Sequence, residues 1–192
     1  MIKKKLIPTY YYNSIYDIDY DKLYENGIRL ILTDLDNTLI SYKESLPKDD
    51  LKSLINNLKK KGFEIIIVSN SSKGLRAKKF AEILDLKYTK MSLKPLRRGI
   101  NKAIKKLASK KYQKSEIILF GDQLMTDIFG ANRAKISSVL VKPIDKLTDI
   151  LPTRINRRLE LHYLKRIKKK YPSIYKEKLE AYVEASYDNK KM

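Results

Sequence analysis

Cysteine is absent from the 192 residues, which excludes disulfide bonds and Cys-ligated zinc and fits a reducing compartment. Long apolar runs are missing as well: stretches such as Ile117 to Phe120 are a handful of residues, against the ~20 that a bilayer-spanning helix needs. The opening "MIKKKLIPTYYYNSIY" is basic and then apolar, but Pro8, Thr9, Asn13 and Ser14 interrupt it too soon for a signal-peptide core. Histidine occurs once, as His162, at the edge of an apolar helical stripe where nothing argues for metal binding or catalysis. The expectation is an intracellular chain, soluble or attached to a surface, not secreted and without a membrane span.

Acidic residues are scarce: 22 Asp and Glu against 42 Lys and Arg, for a net charge of +20. The imbalance is uneven along the chain. Residues 1–50 hold 7 basic and 9 acidic residues, residues 51–114 hold 19 and 3, and residues 151–192 hold 12 and 5. A field of this kind concentrates polyanions, whether nucleic acid, anionic lipid headgroups or phosphorylated substrates. A general richness in lysine would not by itself leave residues 1–50 slightly acidic. The 43% hydrophobic content is ample for one core, so the chain should fold rather than remain disordered.

What is present alternates between strand and helix. After a Tyr-rich leader (Tyr10, Tyr11, Tyr12, Tyr16, Tyr20), Ile28 to Thr33 reads as a buried strand. Leu51, Leu54, Ile55 and Leu58 recur at helical spacing in a helix over Pro47 to Lys61, with Gly62 as its stop. "FEIIIVSN" is a second strand, and Lys73 to Leu84 a helix with Leu75, Phe80 and Ile83 inward. An extended piece at Leu86 to Thr89, a helix from about Pro95 to Lys110, a strand in "EIILFGD", a helix over Thr126 to Ala134 and a strand in "ISSVLV" complete the pattern. Short, wholly apolar strands joined by helices predict an α/β fold with a parallel sheet covered on both faces. Ligands of such sheets bind beyond the carboxyl ends of the strands, which is where Asp34, Ser69 and Asp122 fall.

Asp34 and Asp36 flank a single leucine in "LILTDLDNTLISY". On an extended backbone their side chains lie on one side, and an oxygen-seeking divalent cation, Mg²⁺ when phosphate is the substrate, would relieve their repulsion. Alone, such a pair also suits metal-dependent glycosyl transfer or chance. Ser69 offers a hydroxyl, and the backbone N–H groups after it can cradle an anion. Lys94, before Pro95, can neutralise a phosphoryl oxygen, or simply be one more solvated lysine. "GDQLMTD" adds Asp122 and Asp127, two more carboxylates converging on the same cation.

Taken in order, "DLDNT", the strand-end Ser69, Lys94 and "GDQLMTD" resemble the four motifs of the haloacid dehalogenase (HAD) superfamily of phosphohydrolases, over roughly residues 28–142. "DLDNTL", "KP", "GDQLMTD" and "TRINRRLE" further resemble its YqeG-type branch, related to mitochondrial phosphatidylglycerophosphate phosphatases. The resemblance implies a three-layer Rossmann-like core over residues 28–145, flanked by the leader (1–27) and a basic C-terminal helical extension (146–192). It implies Asp34 as nucleophile and Asp36 as proton donor and acceptor. It also implies Ser69, Asn70 and Lys94 as phosphate-binding residues, and Mg²⁺ held by Asp34, Asp36 (through its backbone carbonyl), Asp122 and Asp127. Asn37 and Thr38 would shape the loop. The intervals Asp36–Ser69 and Ser69–Lys94 each have room for only a helix and a strand, so no large cap domain is expected. An open site of this kind suits a phosphate carried on something large.

Within residues 153–171, Ile155, Leu159, Tyr163, Ile167 and Tyr171 recur every four residues, with Leu164 widening the stripe. Around them lie Arg154, Arg157, Arg158, Lys165, Arg166, Lys168, Lys169 and Lys170. This pattern suits a helix lying on an anionic membrane, each basic residue there contributing about 1 kcal/mol. It equally suits a helix packed on the core, and the charges alone would suit nucleic-acid backbone. The expected function is dephosphorylation of phosphatidylglycerophosphate at the inner face of the membrane. The alternatives are a phosphatase of nucleic-acid termini or phosphoproteins, and a non-catalytic polyanion binder.

Overall fold

The computed structural model describes residues 3–70, 75–89 and 92–187. Six parallel strands form one sheet: β1 (Tyr10–Tyr12), β2 (Leu30–Thr33), β3 (Glu64–Val68), β4 (Lys87–Thr89), β5 (Ile117–Gly121) and β6 (Ser137–Val141). Their order is β1-β6-β5-β2-β3-β4. From β2 the chain winds outward through β3 to β4, then returns to β5 on the other side of β2. The order therefore reverses between β2 and β5, which opens a crevice beyond their carboxyl ends.

The central strands β2, β3, β5 and β6 are mostly apolar because both faces are covered, whereas the edge strands β1 and β4 are only half-buried or exposed. Along β3, Ile65 and Ile67 face one layer while Ile66 and Val68 face the other, and β5 divides its residues in the same way. One layer holds α1 (Tyr20–Glu25), α2 (Asp49–Lys61) and α3 (Leu75–Ile83); the second holds α4 (Arg97–Leu107) and α5 (Phe129–Ala134). α2 begins with Asp49 and Asp50 and ends with Lys59, Lys60 and Lys61, matching the sign of the helix dipole at each end. Gly62 closes it at φ 100°, a conformation open to glycine. In α3 the inward residues are Ala77, Phe80 and Ala81, whereas Leu75 and Ile83 are exposed, contrary to the sequence reading. The expected start of that helix at Lys73 lies outside the described residues.

The elements of the leader were not foreseen. The leader supplies β1, an edge strand paired with β6 from Tyr10↔Val139 to Tyr12↔Val141. Beyond it, α6 (Leu151–Lys170), α7 (Pro172–Lys178) and α8 (Glu180–Ser186) pack Leu164, Ile167, Tyr175, Leu179, Tyr182 and Val183 against Leu6, Leu124, Ile128 and Leu140. The described part of the C-terminal segment is thus joined to the body by its own apolar cluster. No helix among the described residues is long and apolar enough to cross a membrane.

The stripe expected along α6 does not form one face. Ile155 and Leu159 are 49% and 44% exposed, while Ile167 is fully buried. Each four-residue step overshoots a helical turn by ~40°, so the stripe winds from solvent toward the core. The buried face instead carries Thr153, Arg157, Glu160, Leu164 and Ile167. Arg157 therefore leaves the set of surface cations, while Arg154, Arg158, Lys165, Arg166, Lys168, Lys169 and Lys170 remain exposed.

Candidate active site

Asp34 extends β2 by one residue, its N–H donating to Phe120 O at 2.9 Å, and its side chain enters the crevice. The chain then turns sharply. Asn37 takes a left-handed conformation at φ 60°, its N–H donating to Ile40 O at 2.7 Å. This tight loop keeps Asp36 beside Asp34 at the mouth of a cleft of about 540 Å³, whose walls include Tyr42, Ser69, Asn70, Lys94, Gln123 and Thr126.

Lys94 reaches the floor of that cleft from the loop before α4. Its ammonium lies 2.6 Å from Asp34 Oδ1 and 2.7 Å from Asp127 Oδ1, and its side chain is 1% exposed. The solvated-lysine alternative is therefore excluded. The loop is held by Asn70, whose Oδ1 accepts from Ser92 Oγ (2.8 Å) and the Lys94 N–H (2.9 Å) and whose Nδ2 donates to Lys94 O (2.8 Å). Asn70 lines the cleft, and its amide places Lys94. Ser69 is buried at the end of β3, its N–H donating to Thr89 O and its carbonyl accepting from the Ser92 N–H. Of the anion-cradling N–H groups expected after Ser69, those beyond Asn70 lie outside the described residues.

Asp122 follows β5 and is fully buried. Asp127 sits in a wide, π-type turn over Leu124–Ile128, where a helix was expected to begin. Its Oδ2 accepts from the Gln123 N–H at 3.2 Å and the Thr126 hydroxyl at 3.3 Å. Gly121 makes room for it: a Cβ there would lie 2.2 Å from Asp127 Cγ.

Asp34, Asp36, Asp122 and Asp127 outnumber the cations paired with them, Lys94, Arg76 and Arg157. Burial pushes Asp34 up to about 8, with Lys94 opposing and Asp127, Asp36 and Asp122 adding to the rise. Burial likewise raises Asp36, against the pull of Arg76 and then Lys94. It lifts Asp122 to about 6, with Arg157 opposing. Burial alone would lower Lys94, but Asp127 and Asp34 outweigh it and hold the ammonium above its usual range.

An all-oxygen donor set with excess negative charge fits a hard divalent cation. Asp122 Oδ1, buried and without a hydrogen-bond partner, is the clearest open position. No three acidic groups among the described residues are already gathered as a ready cage, since Lys94 lies between Asp34 and Asp127. The candidates to hold a cation remain those expected from the sequence: Asp34, Asp36 through its carbonyl, Asp122 and Asp127.

Two arginines at the site were not anticipated. Arg76, from α3, places Nε 3.1 Å from Asp36 Oδ1 and donates to the carbonyls of Ser41 and Tyr42. Nothing in the lysine-rich run around it distinguishes it. Arg157 donates to Asp122, through Nη1 to its carbonyl at 2.7 Å and through Nη2 to its carboxylate. Glu160, three residues on in the same helix and 3.8 Å away, was the available signal.

Strand-end carboxylates, a buried lysine and a cation-seeking oxygen set at the switch point of a parallel sheet define a phosphate-processing hydrolase. The haloacid dehalogenase-like hydrolase family model matches residues 10–135, and the chain belongs to that family. It is 33% identical over 170 residues to the "Probable phosphatase YqeG" of Bacillus subtilis (strain 168), covering 88% of this chain and 96% of that one. The protein is a phosphatase of this family. Among solved structures, the cobalt-bound form of the deoxy-D-mannose-octulosonate 8-phosphate phosphatase of Haemophilus influenzae aligns with a TM-score of 0.46 at 15% identity. That alignment covers 62% of this chain and 70% of that one, a likeness too distant to bear on activity.

Proposed function

We propose that the protein hydrolyses a phosphomonoester on an anionic phospholipid, phosphatidylglycerophosphate to phosphatidylglycerol, at a membrane surface. Asp34 attacks phosphorus through a carboxylate oxygen, and the bond to the lipid oxygen breaks. Asp36, whose raised pKa suits a general acid, gives its proton to the departing alkoxide. Asp36 then takes a proton from water, which attacks phosphorus and breaks its bond to Asp34. Inorganic phosphate leaves and both carboxyl groups return to their starting states. Lys94 holds the phosphoryl charge next to the nucleophile, with Ser69 beside it. A divalent cation, Mg²⁺ in this reading, supplies charge neutralisation and keeps Asp34 ionised at neutral pH.

The observation that carries the lipid reading is an exposed apolar ridge at the cleft mouth. Ile150 lines the cleft and is 52% exposed, and the ridge continues through Leu147 (86%), Leu151 (70%), Ile155 and Leu159. Exposed Arg154 and Arg158 alternate with it. Apolar residues that folding leaves in water, interleaved with cations, are complementary to an anionic bilayer surface. A nucleic-acid site would gain nothing from the leucines. The test compares phosphate release from phosphatidylglycerophosphate micelles, a phosphopeptide and a 5′-phosphorylated oligonucleotide, with Mg²⁺ and with Asp34→Asn as the blank. Release from the lipid, lost in the variant, is expected. Turnover of another substrate with the lipid intact would overturn the substrate assignment while leaving the phosphatase.

A further inference from the structure

Arg157 is 7% exposed, and the groups around it are equally enclosed: Asp122, Asp149, Glu160 and Tyr182. Burying ions contributes little stability that apolar side chains of similar volume could not supply, so the network calls for another explanation. Its geometry provides one. The guanidinium engages Asp122 at its carbonyl and at Oδ2, leaving Oδ1 without a hydrogen-bond partner. Its Nε donates to Asp149 Oδ2 at 3.2 Å, and the other oxygen of Asp149 accepts from Asn37 Nδ2 at 2.8 Å. Asn37 directly follows Asp36. One side chain from α6 therefore joins the loop after β2 to the end of β5, the two strands that flank the crevice. Behind it, Tyr182 from α8 donates to Glu160 and receives Nη1 of Arg157 at 3.4 Å.

We propose that Arg157 is a positioning residue of the active site. It orients the carboxylate of Asp122, and through Asp149 and Asn37 it fixes the Asp36 loop, at the spacing a divalent cation requires. The segment from Lys146 to the end of α8 is then part of the catalytic unit. This rests on the metal-dependent reading of the cleft and is independent of which phosphomonoester is the substrate. The rival role is a counter-charge that competes with the cation for Asp122. The two roles predict opposite signs: loss of positioning weakens cation binding, and loss of competition strengthens it.

The experiment titrates Mn²⁺ into the metal-free full chain and follows free Mn²⁺ by electron paramagnetic resonance, with no substrate. Arg157→Lys keeps the charge and loses the planar fork. Asp149→Asn weakens the link to Asn37 while preserving shape. Leu164→Ala, in the apolar cluster of α6, lowers Tm without touching the network. The expected result is an Mn²⁺ dissociation constant raised about tenfold or more in Arg157→Lys. A smaller rise is expected in Asp149→Asn, with affinity unchanged in Leu164→Ala. Should Arg157→Lys fail to fold, Asp149→Asn decides alone. Unchanged or tighter Mn²⁺ binding in the network variants, or an equal loss in Leu164→Ala, would overturn the proposal. Failure of the unaltered protein to bind Mn²⁺ would remove the metal reading and the proposal together.

Discussion

Replacing Leu147 and Leu151 together with glutamine separates membrane docking from folding, because folding has left both side chains in water. They are 86% and 70% exposed, so the double variant should keep its stability within about 0.5 kcal/mol. Fully burying a leucine is worth about 1.5–3 kcal/mol. Scaled by the exposed fractions, insertion of the pair would contribute about 2–5 kcal/mol. Incomplete insertion takes the lower end, and about 2 kcal/mol corresponds to roughly thirtyfold in partition. Flotation with vesicles rich in phosphatidylglycerol measures this directly, with urea melts as the control. The expected outcome is binding weakened about thirtyfold or more, together with an equal loss of rate on vesicle-borne lipid. Turnover of a small soluble phosphomonoester should be unchanged. Undiminished flotation at unchanged stability would refute the ridge as the docking surface.

Further expectations follow from single contacts. Gly121→Ala drives a methyl group into Asp127; it should cost about 1–3 kcal/mol of stability and lower phosphatase activity far more than that loss explains, as melts and steady-state rates would show. Arg76→Met removes the cation beside Asp36 and the ties to Ser41 and Tyr42. The kcat should fall about a hundredfold, the scale of impaired acid–base help, with partial recovery in Arg76→Lys. The Glu64 carboxylate accepts from Ser109, Tyr112 and Lys87. Burial opposes them, but the Ser109 bonds and then Lys87 and Tyr112 prevail and hold its pKa below the usual glutamate value. A lowered folded-state pKa stabilises above the unfolded value and loses that contribution as pH falls through the folded one. The stability gap between the unaltered protein and Glu64→Gln, about 1–2 kcal/mol at neutral pH, should therefore narrow in acid. A constant gap in urea melts across that range would count against it.

Much of this architecture was legible in residue order. Four strands announced themselves as short apolar runs, since a parallel sheet covered on both faces leaves little polar alternation to read, and β4 showed only as an extended piece. Because ligands gather at the carboxyl ends of such strands, the cleft walled by Asp34 and Ser69 was expected where it lies; Asp122, also at a strand end, is fully buried. β1 escaped because three tyrosines at a sheet edge look the same as aromatic packing on a loop. The π-type turn at Leu124–Ile128 escaped because its composition suits an ordinary helix. α6 misled for two separate reasons. A four-residue spacing drifts around a helix, which sent Ile155 outward and Ile167 inward. Arg157, read as surface charge, turns inward because Asp122, Asp149 and Glu160 are there to receive it. Pairing partners distant in sequence cannot be read from one helix alone.

The central claim is that Asp34 becomes phosphorylated during turnover. Borohydride added to the enzyme in mid-turnover would reduce an acyl phosphate at that position to homoserine, which peptide mass spectrometry locates. Homoserine at position 34 is predicted, appearing only with substrate and a divalent cation and absent from Asp34→Asn. Phosphate release with no reduction product, or with the product at another carboxylate, would contradict it.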